Sequence, residues 1–168
     1  TGCLVGNFDD IGKVTILPRG GAGGITQFVP DSDSIDLGMY TQEYLNNQLV
    51  VALGGRAAEE VVFGKEKITT GASSDLQRVT QIATQMVRSY GFSSIAPYRI
   101  DDNTSLATMD KVDGEIQMIV NKAYNTAKTL VRENKKLLDT IASELIKRET
   151  LEGSDILALV ANYSFTKA

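Results

Sequence analysis

Hydrophobic and polar residues follow two different patterns along this chain of 168 residues. Near the beginning, β-branched and aromatic residues form two short runs, over residues 13–17 and 25–29, separated by Pro18 and a glycine-rich stretch. Short runs bounded by proline and glycine are typical of β-strands. We therefore predict a β-hairpin or a small mixed sheet here, followed by a polar loop over residues 31–38.

From residue 41 onwards, hydrophobic residues recur every three or four positions, which is the spacing of helices with one buried face. We predict helices over about residues 41–62, 73–90, 110–133 and 135–148, and a short fifth helix capped by Ser154. The fold class is accordingly mainly α, a helical bundle with a small N-terminal sheet. No linker or internal repeat divides the sequence, so we predict a single domain over residues 1–168.

Particular residues mark the ends of these helices. Thr41 can cap the first helix through its hydroxyl group, and Gly91 follows the second helix at a position that favours glycine. Gly54 and Gly55 interrupt the first helix, where two adjacent glycines lower helix stability. We expect close packing against a neighbouring element to explain them.

The chain contains no histidine and a single cysteine, Cys3, and these counts exclude several kinds of function. Without imidazole there is no Ser-His-Asp or Cys-His triad, no HExxH zinc-protease helix and no zinc site built on histidine. One cysteine excludes an internal disulfide. The net charge of −4 argues against a nucleic-acid partner, and no apolar run approaches the ~20 residues that span a bilayer.

Few side chains remain that could catalyse a reaction or bind a metal ion or phosphate. Asp75 follows a Thr/Gly/Ser-rich turn, where it either complements a helix dipole behind a serine cap or contributes to a metal or anion site. One carboxylate cannot form such a site alone. Glu59 and Glu60 do not share a helix face, so we expect a pair between Arg56 and Glu60 rather than a catalytic acid and base. The glycine-rich stretch 19–24 lacks the Lys-Ser/Thr of a phosphate loop and predicts a tight turn.

Several motifs, in this order, resemble the protease domain of FtsH, a family of membrane-anchored, hexameric, ATP-dependent zinc metalloproteases of bacteria, plastids and mitochondria. They are KVTILPRG from Lys13, AGGIT from Ala22, LGGRAAEEVVFG from Leu53 and TTGASSDL from Thr69, with shorter matches from Tyr90 and Lys147. The resemblance covers essentially the whole chain. It makes Asp75 the counterpart of the family's third zinc ligand, and residues 24–29 the counterpart of its substrate-side edge strand, where an extended peptide could add.

The sequence departs from the family pattern in two ways. The family's HExxH motif, with its two histidine ligands and its general-base glutamate, would stand just upstream of Thr1, so Asp75 is present without the other ligands. The segment between Phe92-Ser93 and the helix at Asp110 is shorter than the family's usual loop near the active site. The ATPase domain and transmembrane segments are also absent, and the start without methionine indicates a processed product or an excised segment.

Two hypotheses follow from the resemblance. The first is a degenerate FtsH-like pseudoprotease domain that acts as a non-catalytic structural or interaction subunit, with other protein subunits such as a membrane complex or an FtsH-like oligomer as partners. The second is the C-terminal portion of an active ATP-dependent zinc metalloprotease. For this chain alone we expect no catalytic residue, no cofactor and no tightly bound zinc. The resemblance implies a plastid rather than a mitochondrion, or the inner membrane of a bacterium.

Overall fold

Six α-helices and three β-strands form over the residues that the computed structural model describes, namely 1–18, 23–30, 39–95, 97–101 and 103–167. The strands are β1 (Asp10–Thr15), β2 (Ile25–Val29) and β3 (Thr150–Glu152). The helices are α1 (Gln42–Ala52), α2 (Gly54–Phe63), α3 (Ser73–Arg88), α4 (Leu106–Glu133), α5 (Lys135–Arg148) and α6 (Gly153–Lys167). The predicted mainly α fold with a small sheet is confirmed. None of the helices in these ranges combines the length and apolar character needed to cross a membrane.

Contacts group the chain into two compact units, and the first, the helical unit, contains Thr1 and residues 40–131. Helices α1 and α3 pack against each other there through large apolar side chains. The buried side chains are Leu45, Leu49 and Val50 in α1 and Val79, Ile82, Ala83, Met86 and Val87 in α3. Each large side chain of this kind contributes about 1.5–3 kcal/mol when it is removed from water. The helix faces predicted from the spacing therefore form the core of this unit.

The first predicted helix is divided in two at Leu53, which ends α1 and precedes α2. Thr41 caps α1 as predicted, because its hydroxyl accepts a hydrogen bond from the Tyr44 amide at 3.1 Å. The division occurs at this one residue, without a polar loop. Spacing alone did not reveal it, because the buried face continues from α1 through Leu53 to Ala57.

The two glycines after Leu53 have different surroundings. Gly54 is buried, and a β-carbon there would collide with the side chain of Thr1. The expected close packing is therefore confirmed at Gly54. A β-carbon at Gly55 would meet nothing within 4 Å, so packing does not account for the second glycine.

The polar stretch between α3 and α4 packs onto the helical unit. Gly91 has a φ of +66°, in the left-handed region that favours glycine, and the chain leaves α3 close to this residue as predicted. Ile100 is only 2% exposed and forms a cluster with Val87 and Val112. α4 begins at Leu106, four residues before the predicted start, so the irregular segment is shorter than the sequence indicated.

The second unit, the sheet unit, contains residues 2–39 and 132–168 and includes all three strands, in the order β2–β1–β3. β1 pairs antiparallel with both neighbours, and its register with β2 shifts around Gly12. The predicted pairing of the first two strands is confirmed. β3 has three residues and was not predicted, because so short a strand carries no recognisable alternation. Residues 19–22 and the predicted loop over 31–38 lie outside the described residues.

The chain turns from β3 directly into α6 within the sheet unit. Arg148 forms two hydrogen bonds with the carboxylate of Asp155, at 3.2 and 2.9 Å, and the Glu152 amide donates to the same carboxylate at 3.0 Å. Gly153 is buried, and a β-carbon there would overlap the carbonyl oxygen of Ile11. These contacts join the end of α5, β3 and the start of α6.

The last helix differs from its prediction in start and length. α6 begins at Gly153 and extends to Lys167, whereas a short helix capped by Ser154 was predicted. Ser154 is therefore inside the helix and not its cap. The helix begins at the residue whose backbone closely approaches the Ile11 carbonyl of β1.

Candidate functional site

Asp75, the one residue that the resemblance assigns to a metal, is an exposed residue in the first turn of α3. Within the described part of the chain, no hydrogen bond or ion pair engages its carboxylate. The predicted serine cap of α3 is wrong, because the residue at the N-cap is Ala72, which has no capping side chain. Ser73 is already helical, and its hydroxyl donates to the Thr70 carbonyl at 2.5 Å.

The turn before Asp75 is held by Glu59 of α2. The Glu59 carboxylate accepts two hydrogen bonds from Thr69, one from the amide at 2.9 Å and one from the hydroxyl at 2.7 Å. The Thr69 hydroxyl in turn accepts from the Gly71 amide at 3.2 Å. Donation from the Thr69 hydroxyl and amide stabilises the charged form, so the pKa of Glu59 lies below its ordinary value.

The neighbouring Glu60 points to a different element. Its carboxylate accepts a hydrogen bond of 2.5 Å from the Tyr124 hydroxyl and one of 3.3 Å from the Lys128 ammonium group, both on α4. The Lys128 nitrogen lies 4.8 Å from the centre of the Tyr124 ring, within the range of a cation–π interaction. The expected pair between Arg56 and Glu60 is therefore replaced by contacts with α4.

These contacts change the acidity of both partners. The hydrogen bond from the Tyr124 hydroxyl, with help from Lys128, holds the pKa of Glu60 below its usual value. Burial and donation to the Glu60 carboxylate raise the pKa of Tyr124 to about 12. The phenol therefore keeps its proton at neutral pH and remains a hydrogen-bond donor to Glu60.

The side chains present do not fit a complete zinc centre. A catalytic zinc ion uses three protein ligands and keeps one position for water. The chain has no histidine, and among the described residues no three Cys, Asp or Glu side chains come together as a metal-binding group. Burial raises the pKa of the Cys3 thiol, which disfavours the thiolate that binds metals. Asp75 can supply one oxygen ligand and no more.

A shallow groove of about 340 Å³ lies elsewhere in the helical unit. The start of α1, the segment after α3 and α4 form its walls, which include Phe92, Met118 and Lys122. The one carboxylate that lines it, Glu115, accepts hydrogen bonds from the Ser94 amide at 2.9 Å and from the Ser94 hydroxyl at 3.1 Å. The groove contains neither Asp75 nor Glu59, so it adds no ligand to the candidate metal position.

β2 offers a second candidate surface, in the sheet unit. It is an outer strand, because the sheet order is β2–β1–β3 and β1 occupies one side of it. Val29, at its end, is 58% exposed. An outer strand presents backbone amide and carbonyl groups to which an extended peptide can pair.

Comparison with known proteins places this fold in a family of peptidases. The family model for Peptidase family M41 matches residues 1–159, and the chain belongs to that family. It is 40% identical to ATP-dependent zinc metalloprotease FtsH 3 of Synechocystis sp., over 96% of this chain and 29% of the relative. It is 45% identical to an ATP-dependent zinc metalloprotease FtsH of Synechococcus sp., over 96% of this chain and 27% of the relative.

A chloroplast protein is similar as well. ATP-dependent zinc metalloprotease FTSH 5, chloroplastic, of Arabidopsis thaliana is 40% identical over 94% of this chain and 25% of the relative. The predicted resemblance to FtsH proteases is confirmed, and the relatives include both cyanobacterial and chloroplastic proteins. The chain spans less than a third of the length of each of these three relatives.

The chain is shorter than its relatives inside the matched region. The match to the Synechocystis protein runs over 177 positions, whereas 96% of 168 residues is about 161, so about 16 positions have no residue here. The match to the Arabidopsis protein runs over 174 positions and 94% of this chain, about 158 residues, and again leaves about 16. A shortened loop after Phe92 predicts a difference of this kind.

Sequence reasoning missed three residues around the candidate site. Thr69, Tyr124 and Lys128 bind the two adjacent glutamates of α2, but they lie 10, 64 and 68 residues away from them in sequence. The one local signal was the four-residue spacing of Tyr124 and Lys128, which places a phenol and an ammonium group on one helix face.

Proposed function

We propose that this chain acts as a non-catalytic interaction or scaffold unit derived from an M41 peptidase. The observation that carries the proposal is the donor set around Asp75. A zinc peptidase needs about three protein ligands, but this sequence has no histidine and, among the described residues, no three Cys, Asp or Glu side chains come together as a metal-binding group. By itself, the polypeptide is expected to bind no zinc tightly and to hydrolyse no peptide bond.

The internal shortening supports the same proposal. About 16 positions of the relatives have no residue here within the matched region, and the resemblance assigns the loss to the loop after Phe92. The remaining segment packs onto the helical unit through Ile100.

The partners of a scaffold unit are other protein subunits, such as a membrane complex or an FtsH-like oligomer. The outer edge of β2 is the surface that we propose for one such contact. Hydrogen exchange compares the free chain with the assembly: stronger protection of residues 24–29 in the assembly supports the contact, and equal protection contradicts it. The chloroplastic and cyanobacterial relatives support a plastid, ahead of a mitochondrion, or a bacterial inner membrane as the location.

Metal analysis tests the non-catalytic proposal directly. The purified 168-residue chain is dialysed against buffer with zinc and then against buffer without it, beside an Asp75→Asn variant. We expect less than stoichiometric zinc in both proteins and no cleavage of an unfolded protein substrate by either. One zinc ion per chain in the wild type, lost in the Asp75→Asn variant, would overturn the proposal.

A second candidate function rests on the geometry of Asp75. Its carboxylate is exposed and has no protein partner in the described region, and it follows a turn that Glu59 holds in place. This arrangement suits a ligand whose remaining partners lie on another segment. The chain would then be the C-terminal part of a peptidase whose bound zinc lowers the pKa of a water molecule to about 7. Asp75 would supply one oxygen ligand to that ion.

The mass of the native protein distinguishes the two candidates. A mass near 18.2 kDa, the mass of this chain, supports the scaffold unit and contradicts the active peptidase. A much larger polypeptide that includes an HExxH segment upstream of Thr1 supports the peptidase and contradicts the scaffold unit. Peptide mapping of the same material shows whether an HExxH segment precedes Thr1.

A further inference from the structure

α2 is attached to the helical unit with little apolar burial. The helix has ten residues, and only Gly54 and Ala57 are fully buried, neither of which has a large side chain. Val62 and Phe63 are 37% and 62% exposed. A helix of this length is unstable alone and depends on tertiary contacts. Polar contacts therefore hold α2 in place to a greater extent than they hold α1 or α3.

The start of α3 has equally few apolar anchors. Residues 73–78 are all exposed, and the first buried side chain inside the helix is Val79. Of the turn that precedes the helix, only Ala72 is buried. The direction of the Asp75 carboxylate thus depends on the backbone of this turn, which Glu59 binds through both the amide and the hydroxyl of Thr69.

We propose that Glu60 is a positioning residue whose contacts with α4 set, through α2, the position of the Thr69–Gly71 turn that precedes Asp75. Adjacent residues of a helix point about 100° apart, so Glu59 and Glu60 can bind different elements at the same time. Glu60 binds Tyr124 and Lys128 of α4, and Glu59 binds Thr69. A change at α4 is transmitted through the short rigid helix to the turn.

This coupling concerns the conformation of the turn and does not require zinc. It applies to a scaffold unit, in which the turn is part of the surface, and to a peptidase, in which the turn directs a ligand. If the metal analysis contradicts the non-catalytic proposal, the proposed coupling between α4 and the turn still stands. Its own test uses the backbone amides of the turn as reporters.

Tyr124→Phe is the sharpest variant, because it removes only a hydroxyl group, which donates to Glu60 and also contacts Arg56 of the same helix. Tyr90→Phe is the matched control, since the Tyr90 hydroxyl makes a single hydrogen bond of 3.5 Å, to Gln85. Residue-resolved hydrogen exchange is measured on the full 168-residue chain. In Tyr124→Phe we expect exchange about three- to tenfold faster at the Thr69 and Gly71 amides. The variant loses one hydrogen bond to a charged group, and only part of that loss is expected to reach the turn. The control is expected to leave both amides unchanged.

Two results would overturn the proposal. The first is unchanged hydrogen exchange at the Thr69 and Gly71 amides in Tyr124→Phe, combined with faster exchange at the Gly71 amide in Thr69→Val. Thr69→Val removes a direct contact with Glu59, so it shows that the Gly71 amide can report a loosened turn. The other is a uniform acceleration that includes the core amides of Leu49 and Met86, because it reports global destabilisation and not coupling.

Lys128→Met supplies a second route to the same answer if Tyr124→Phe does not fold. It removes the ammonium group from Glu60 and keeps a flexible apolar stem. Faster exchange confined to the Thr69–Gly71 turn supports the coupling, and exchange equal to that of the wild type contradicts it.

Discussion

Two aspartates occupy the same place in two helices and make very different contacts. Asp75 is the third residue of α3 and Asp155 is the third residue of α6, and each follows a serine and precedes a leucine or isoleucine. Asp155 binds the Arg148 guanidinium twice and accepts from the Glu152 amide. Asp75 has no such contact in the described part of the chain.

The two aspartates differ in role: Asp155 is a structural carboxylate, whereas Asp75 has oxygen atoms that a ligand could reach. Negative side chains are favoured in the first turn of any helix because of the helix dipole, and this explains both aspartates at the level of sequence. Only Asp155 also joins separate elements, the end of α5 and β3, to the start of α6. Asp75 stabilises the fold little beyond its helix, which leaves its oxygen atoms accessible for a ligand.

The largest effect is expected at Gly153, the residue that opens the helix of Asp155. A β-carbon in Gly153→Ala would overlap the Ile11 carbonyl oxygen of β1, so β1 and α6 must move apart. We expect a loss of about 3 kcal/mol in the free energy of unfolding, measured by urea denaturation. Gly114→Ala in α4 is the control, because a β-carbon there meets nothing within 4 Å, and it should be neutral or stabilising by up to ~1 kcal/mol. Equal effects of the two variants would contradict the assigned role of Gly153.

The next effect is expected at Asp155 itself. Asp155→Asn removes the charge that Arg148 binds at 2.9 Å, and it should lower the urea midpoint of unfolding. Arg148→Met breaks the same pair from the other side. If the pair is the cause, the double variant should lose less stability than the sum of the two single losses, and the difference is the coupling energy between the sites. An unchanged midpoint in all three proteins would remove the structural role of Asp155.

A smaller effect is expected in the pH dependence of stability. Donation from Arg148, and then from the Glu152 amide, holds the pKa of Asp155 below the ordinary value of 3.8. A carboxylate with a lowered pKa contributes stability above its unfolded pKa, and this contribution is lost as the pH falls through the folded pKa. Between about pH 5 and pH 2 the wild type should therefore lose more stability than Asp155→Asn. Parallel curves for the two proteins would show that the carboxylate is not engaged in solution.

The smallest effect on stability is expected at Asp75. Asp75→Asn removes a charge that no described side chain contacts, and only the interaction with the helix dipole is lost, about 0.3–1 kcal/mol. The midpoint of unfolding should change much less than in Asp155→Asn. A loss as large as that of Asp155→Asn would mean that the two aspartates are equivalent, and the contrast between them would fail.

Several features of the fold were predictable because their signals are local. The spacing of Leu45, Leu49 and Leu53 identified a buried helix face, and Thr41 identified the start of α1. The bounds of α5 agree with the prediction because Asn134 and Glu149 lie outside a continuous periodic run. The motif TTGASSDL identified the family and the position of Asp75. Each of these signals lies within a few residues of the element that it predicts.

Other features depend on residues that are distant in sequence. β3 exists because Thr150–Glu152 pairs with β1, across more than 130 residues of chain. The glutamates of α2 bind Thr69 and α4 rather than Arg56, because side chains interact with what is near in space.

For this protein, the sequence by itself determined the spacing of the helix faces and the family, and its resemblance to that family predicts Asp75 as the counterpart of a zinc ligand. Only the tertiary structure decided that Asp155 is engaged, that Asp75 has no such contact in the described part of the chain, that Glu59 binds the turn between α2 and α3, and that Glu60 binds α4. The physical reason is the range of the interactions. Helix propensity, capping and dipole effects act within one or two turns, whereas an ion pair or a hydrogen bond forms between whichever side chains the folded backbone brings within about 3 Å.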